Sequence, residues 1–236
     1  MGGSVAAQAS GEAADKTKVT VSVVMTAYKR PRQLRRTLES IYRQNEPCEV
    51  VVVEDGKDGE TEGVCKDYPV KYLCRPDRPT YATFYNPAVV TNMGLRAATG
   101  DIVILQNAEC EHVGDVISHF RDRVCPGVAL FASVAALGLD EVFVQWYCHP
   151  EHSRRPLFFC GAMLRRHYLE VGLFDEDYTE YGYEDVDFAD RLTEAGIYFE
   201  WTSRILAHHQ WHERFSGNAQ SRALYERKKK QRQGAV

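Results

Sequence analysis

The stretch VTVSVVMTAYKRPRQLRRTLESIYRQNEPCEVVVVEDG, residues 19–56, sets two β-branched runs on either side of one amphipathic run. Val19 to Ala27 is β-branched and largely apolar, the pattern of a strand covered on both faces. Pro31 then opens a helix whose Leu34, Leu38 and Ile41-Tyr42 recur at helical spacing. Pro47 follows the helix, and Val50 to Val53 form a second buried strand that stops at Glu54-Asp55-Gly56. Strand, helix and strand at this spacing make a βαβ unit, so these two strands are expected to run parallel.

The alternation continues outward. Val70 to Leu73 reads as a short strand and Arg75 to Tyr85 as a Pro-rich loop. Asn86-Pro87 caps and starts a helix that runs to Thr99, with Gly100 as its stop. Ile102 to Leu105 is a further buried strand, ending at Gln106-Asn107-Ala108-Glu109, and a third helix is expected over Val113 to Val124. Val128 to Ala136 and Val142 to Trp146 read as strands. Arg165 to Val171 and Glu184 to Ala195 read as helices, and Tyr198 to Trp201 and Ile205 to Ala207 as strands. The expected fold is α/β, a mostly parallel, doubly wound central sheet with helices on both faces. A disordered tail (1–18), one domain (19–215, with halves 19–125 and 126–215) and a basic tail (216–236) complete the expected organisation.

Composition narrows the function classes. The chain has 236 residues, 44 % hydrophobic and 26 % charged, an ordinary globular mix. At that length roughly 70–75 % of the unfolded surface can be buried. The net charge of −4 argues against a nucleic-acid partner. Seven scattered cysteines without a C-x-x-C pair argue against a disulfide framework and for reduced thiols in a cytoplasmic protein. No apolar run approaches the ~20 residues of a membrane span. Arg227-Lys228-Lys229-Lys230 suits an anionic membrane surface at about 1 kcal/mol per charge, and equally a solvated tail.

Open parallel sheets bind ligands beyond the carboxyl ends of their strands. Three polar clusters fall there: Thr26-Ala27-Tyr28, Glu54-Asp55-Gly56 and Gln106-Asn107-Ala108-Glu109. Each alone is ordinary turn chemistry; three on one rim point to a ligand. Tyr181-Gly182-Tyr183-Glu184-Asp185-Val186-Asp187 sets three carboxylates in the first turn of a helix. The helix dipole accounts for one or two of them, but not for the glycine-aromatic approach before them, and a carboxylate there can take a proton from an attacking hydroxyl. His208-His209-Gln210-Trp211-His212 follows a strand and offers imidazole ligands to a cation. Arg75, Arg78 and Arg96 could meet phosphates, and Trp146-Tyr147 and Trp211 could stack on sugar rings, although core packing is the commoner fate of aromatics beside strands.

The order of these motifs resembles the family 2 glycosyltransferases of the GT-A fold. The resemblance rests on VSVVMTAYKRP (21–31), VVVEDGKDG (51–59), VVTNMGLRAATGDIVILQNAE (89–109), FFCGAMLRR (158–166), VGLFDEDYTEYGYEDVDFADRL (171–192) and the histidine run. It implies that 19–125 is a nucleotide-binding half and 126–215 an acceptor and catalytic half. By this resemblance Thr26, Tyr28, Asp55 and Asn107 bind the nucleotide and Asp185 is the catalytic base. Gly161, Ala162, Glu184 and Trp146 are expected to line the sugar and acceptor pocket. Glu109 and His209, with His212 as second choice, are expected to hold a divalent cation, Mn²⁺ or Mg²⁺. The implied reaction is inverting transfer of one sugar from a nucleoside-diphosphate sugar, a UDP-sugar first, to a saccharide or other hydroxyl acceptor.

One departure matters. The family's Asp-x-Asp is replaced by Gln106-Asn107-Ala108-Glu109, and the loss of one carboxylate weakens metal binding. A non-catalytic nucleotide- or glycan-binding module of the same fold therefore competes as a reading. A nucleotidyltransferase is a second alternative, although Met25 to Arg32 supplies no Gly-rich phosphate loop.

Overall fold

A computed structural model describes residues 19–75, 87–180, 182–213 and 219–234. The expected tail 1–18, the loop beyond Arg75 with Arg78, the cap Asn86, and Tyr181 lie outside the described residues. The opening unit is β1 (Val21–Ala27), α1 (Pro31–Tyr42) and β2 (Glu49–Asp55). It is followed by α2 (Glu60–Cys65), β3 (Lys71–Arg75), α3 (Pro87–Ala97) and β4 (Ile102–Asn107). β5 (Cys110–Val113), α4 (Val116–Arg123), β6 (Val128–Leu137) and β7 (Phe143–Cys148) come next. β8 (Cys160–Leu164), α5 (Arg165–Glu170), α6 (Glu184–Glu194), β9 (Tyr198–His209) and α7 (Ala219–Gly234) complete the order.

The described strands form one sheet in the order β3-β2-β1-β4-β8-β6-β9-β5, with β7 paired to β6. β3, β2, β1 and β4 are parallel, as the βαβ reading requires. β8 runs antiparallel to both β4 and β6, so the second half of the sheet is mixed. β9 is parallel to β6 and antiparallel to β5. Alternate side chains of the central strands feed two core layers. Val23, Met25, Val52 and Ile104 pack with Leu34, Leu38 and Ile41 of α1 and Phe120 of α4. Val24, Val51, Val53 and Val103 pack on the other face with Leu95 of α3 and Phe188 and Leu192 of α6.

Local corrections have simple causes. The helix expected over Val113 to Val124 begins only at Val116, because Gly114 turns the chain with φ 79° after β5. The two strands expected at Tyr198 and Ile205 are one bulged strand, whose register on β6 shifts between Ala132 and Ser133. α2, β5 and β8 are found where no element was expected.

The described part of the basic tail, α7, is a docked helix. Gln220 N–H donates to Glu180 Oε2 and Ser221 Oγ to the Glu180 carbonyl, both at 3.0 Å. Tyr225 OH donates to Asp190 at 2.8 Å, and its ring packs 5.5 Å from that of Tyr183. Lys228 pairs with Asp175 and Asp177, Lys229 with Asp190, and Arg232 with Asp187 and Glu194. Lys228 and Lys229, read as part of a charged surface run, are thus matched to carboxylates of the chain itself. No described helix is long and apolar enough to cross a membrane.

Candidate active site

The carboxyl ends of β1 and β4 open into a cavity of about 480 Å³. Thr26 lies at the end of β1 and Tyr28 just beyond it; Asn107 ends β4 and Glu109 follows it. His209 and His212 come from the end of β9, and Glu184 and Asp185 from the start of α6; all eight line the cavity.

Backbone geometry explains the convergence. β4 turns at Ala108-Glu109 into β5, and β5 pairs antiparallel with β9 so that Cys110 faces His209 in register. That pairing sets Glu109 beside His209, while His208 pairs opposite Glu111, one residue further along the strand. Gln210 locks the junction: its backbone N–H donates to the Glu109 carbonyl at 3.0 Å, and its buried amide donates to the Gln33 carbonyl and Thr37 Oγ1 of α1. Gln106 is turned away from this group. Its amide donates to the Cys110 carbonyl at 3.1 Å and accepts from the buried His112 imidazole. Burial lowers the His112 pKa to about 3, so the ring is neutral.

Glu109 is 3 % exposed. Its Oε1 meets Arg30 Nη1 at 3.0 Å, His212 Nε2 at 3.2 Å and His209 Nε2 at 3.5 Å. Burial opposes its ionisation, but the two imidazoles and the Arg30 charge outweigh it and hold the carboxyl well below its usual range. One ligand atom each of Glu109, His209 and His212 lie within 4.8 Å of one another. Two imidazoles and one ionised carboxylate at that spacing fit a divalent ion, and suit Mn²⁺ better than Mg²⁺. Both candidate histidines therefore belong to the cluster.

The opposite wall is the start of α6. Gly182 (φ 90°) and Tyr183 (φ 72°) are both left-handed, and this turn delivers Glu184 and Asp185 to the cavity. Asp185 accepts from the Val186 N–H at 2.8 Å. Glu184 Oε2 is buried with no hydrogen-bond partner among the described residues, and such a group calls for a ligand donor. Burial raises both carboxyl pKa values, and the Asp185 charge adds to the rise at Glu184. The third acid, Asp187, points away from the cavity into Arg191 and Arg232.

Four expected residues do not line the cavity. Asp55 is fully buried at the end of β2, with Arg75 Nη1 at 3.5 Å. Gly161 and Ala162 lie inside β8, between β4 and β6, and pack the core. A Cβ on Gly161 would stand 2.7 Å from the Phe131 ring. That ring is itself packed by Phe158 and Trp201, so it cannot yield freely. Gly161→Ala is expected to lower stability by about 1–3 kcal/mol through overpacking, read as a fall in the urea midpoint. Unchanged stability with weakened sugar binding would return Gly161 to the pocket. Trp146 stacks outside the cavity on His149 and His152, while its strand neighbours Gln145 and Tyr147 line it. Strand alternation was the available signal.

The sequence reading did not single out Arg30 and Arg155, which line the cavity, or Gln210. Arg96 pairs with Glu176 at 3.3 Å.

Comparison with known proteins follows the same lines. The sequence profile of Glycosyl transferase family 2 matches residues 22–165, more than half of the chain. The hyaluronan synthase of Pasteurella multocida is 24 % identical over 81 % of this chain, which spans 24 % of that protein's length. Staphylococcus aureus TarS 1-349 superposes with a TM-score of 0.64 at 16 % identity, covering 81 % of this chain and 60 % of TarS 1-349. The mannosyltransferase PcManGT of Pyrobaculum calidifontis, solved with GDP-Man and Mn²⁺, gives a TM-score of 0.60 at 19 % identity, over 80 % of this chain and 56 % of its own. The structural likenesses establish the GT-A fold.

Proposed function

The chain belongs to glycosyl transferase family 2, and from that premise we propose that its cavity transfers one sugar from a nucleoside-diphosphate sugar, first a UDP-sugar, to a hydroxyl acceptor. The observation that carries this reading is the pairing of two unlike walls around one cavity. One wall gathers Thr26, Tyr28, Asn107 and a cation-type ligand set; the other presents two carboxyls with raised pKa values.

Thr26, Tyr28 and Asn107 position the nucleotide along the strand ends, with Asp55 supporting the rim from beneath. Glu109, His209 and His212 would hold the divalent cation, which supplies positive charge to the departing diphosphate. Asp185 accepts the proton of the acceptor hydroxyl as its oxygen attacks the anomeric carbon. Glu184 hydrogen-bonds a hydroxyl of the acceptor or the sugar and fixes its approach. Base on one wall and diphosphate on the other favour attack opposite the leaving group, which inverts the anomeric centre. Most of the rate gain is then positioning and leaving-group stabilisation. The acceptor class is a saccharide or another alcohol.

The test is a thermal-shift series with UDP, GDP and their sugars, with and without Mn²⁺. A nucleoside diphosphate at about 100 Kd should stabilise the fold by roughly 2.7 kcal/mol. No shift at millimolar nucleotide with cation present would remove the donor site. A shift without sugar transfer to any acceptor would favour the binding-only reading.

A further inference from the structure

Arg30 stands at the one place where the cation and the diphosphate would both need charge. Lys29, at φ 51°, turns the chain between β1 and α1, and Arg30 precedes Pro31 at the start of the helix. Its guanidinium lines the cavity and reaches Glu109 Oε1 at 3.0 Å. His209, His212 and the Asn107 amide converge on that same oxygen, the last at 3.5 Å. The cluster has a single carboxylate, so Arg30 cancels all of its formal charge.

We propose that Arg30 is an internal counter-ion that competes with the divalent cation for Glu109 and, once displaced, turns to the diphosphate. A dication cannot approach Glu109 Oε1 favourably while a guanidinium holds it, because like charges at this separation repel strongly in a buried setting. Cation entry therefore releases Arg30 into the cavity it already lines. A diphosphate placed there meets a free guanidinium, which matches phosphate oxygens in a fork. Cation and diphosphate then strengthen each other's binding, by the same factor in each direction. The departing diphosphate takes charge from two sources, one of them covalently part of the chain. The second half of the proposal rests on the donor reading given above; the competition for Glu109 does not.

The experiment titrates Mn²⁺ by calorimetry into the full chain without nucleotide, using wild type, Arg30→Gln and Arg30→Lys. Removing the competing charge should tighten Mn²⁺ binding by roughly 10-fold in Arg30→Gln, whereas Arg30→Lys keeps the charge and stays near wild type. UDP is then titrated at saturating Mn²⁺, where Arg30→Gln should bind it roughly 10-fold more weakly than wild type. A damaged fold would weaken both ligands, so opposite signs exclude that cause. Equal or weaker Mn²⁺ binding by Arg30→Gln overturns the competition, as does failure of every form to bind Mn²⁺. UDP binding that is indifferent to Arg30 overturns the second step. Tighter Mn²⁺ binding in Arg30→Gln, with no UDP binding by wild type, supports the competition and sinks the donor reading instead.

Discussion

Asp185→Asn is expected to lower turnover by ~10²–10⁴-fold, the usual worth of a positioned general base, and to leave donor affinity unchanged. The amide keeps the shape of the side chain and the oxygen that accepts the Val186 N–H; it loses only basicity. The pH profile carries the same signature. Burial holds the carboxyls of Glu184 and Asp185 above their ordinary pKa values, so the base form appears only as pH rises through that raised range. The acid limb of kcat should therefore lie above the usual carboxylate pKa in the wild type and vanish in Asp185→Asn. Stability moves the other way. A carboxyl whose folded pKa is raised stabilises the fold below its unfolded pKa, and that contribution is lost as pH rises through the folded value. Above that raised range ionisation of the carboxyls is thus a cost, and there Asp185→Asn should be as stable as wild type or more so. Glu184→Gln should disturb substrate binding as well as rate. Near-normal turnover in Asp185→Asn, or a product of retained anomeric configuration by NMR, would falsify the assignment.

Asp187→Ala destabilises the fold by about 3 kcal/mol, the scale of breaking a buried ion pair. Asp187 has no exposure, and its two oxygens take Arg191 Nε at 2.9 Å and Arg232 Nη1 at 2.6 Å. Arg191 also donates to the carbonyls of Val171 and Leu173. One carboxylate therefore fastens α6 to the preceding turn and to α7. Its removal leaves two guanidiniums, each about one-fifth exposed, with the buried carboxylate between them gone; Arg232 keeps its Glu194 partner, whereas Arg191 keeps only carbonyl acceptors. Arg232→Ala leaves the Arg191 pair intact and should cost about 1–2 kcal/mol. Urea midpoints measure both, with an unchanged slope showing that compactness is preserved. An Asp187→Ala midpoint equal to wild type would mean that the arginines find water instead.

The parallel half of the sheet was legible because its signals are local. Val21–Ala27 and Val50–Val53 each carry their own β-branched run, and Pro31 marks its own helix. Strand ends of a parallel sheet share one rim, which is why Thr26, Tyr28, Asn107 and Glu109 could be named together. Pairing between distant strands leaves no such local mark. β8 is short, and its Cys160-Gly161-Ala162 reads equally as loop or strand; only its position between β4 and β6 makes Gly161 a packing residue. Trp146 was named for its ring, but the pleat of β7, with a register irregularity against β6, turns Gln145 and Tyr147 to the cavity. Arg30 depends on the single positive φ of Lys29, which a lysine does not advertise. The three acids of 184–187 look alike in sequence; the turn of α6 gives two to the cavity and one to α7.

The junction of β5 with β9 has a kinetic side. It brings Glu109 to His209 and His212 across about a hundred positions of chain. Contacts of that span are entropically expensive to close, and they form late when more local pairings can form first. An ion held by these three residues acts as a detachable staple on an already folded chain. Interactions absent from the folding transition state slow unfolding and leave the folding rate nearly unchanged. Loading the cluster would therefore lengthen the lifetime of the native fold without hastening its assembly, and a chelator would shorten that lifetime at once.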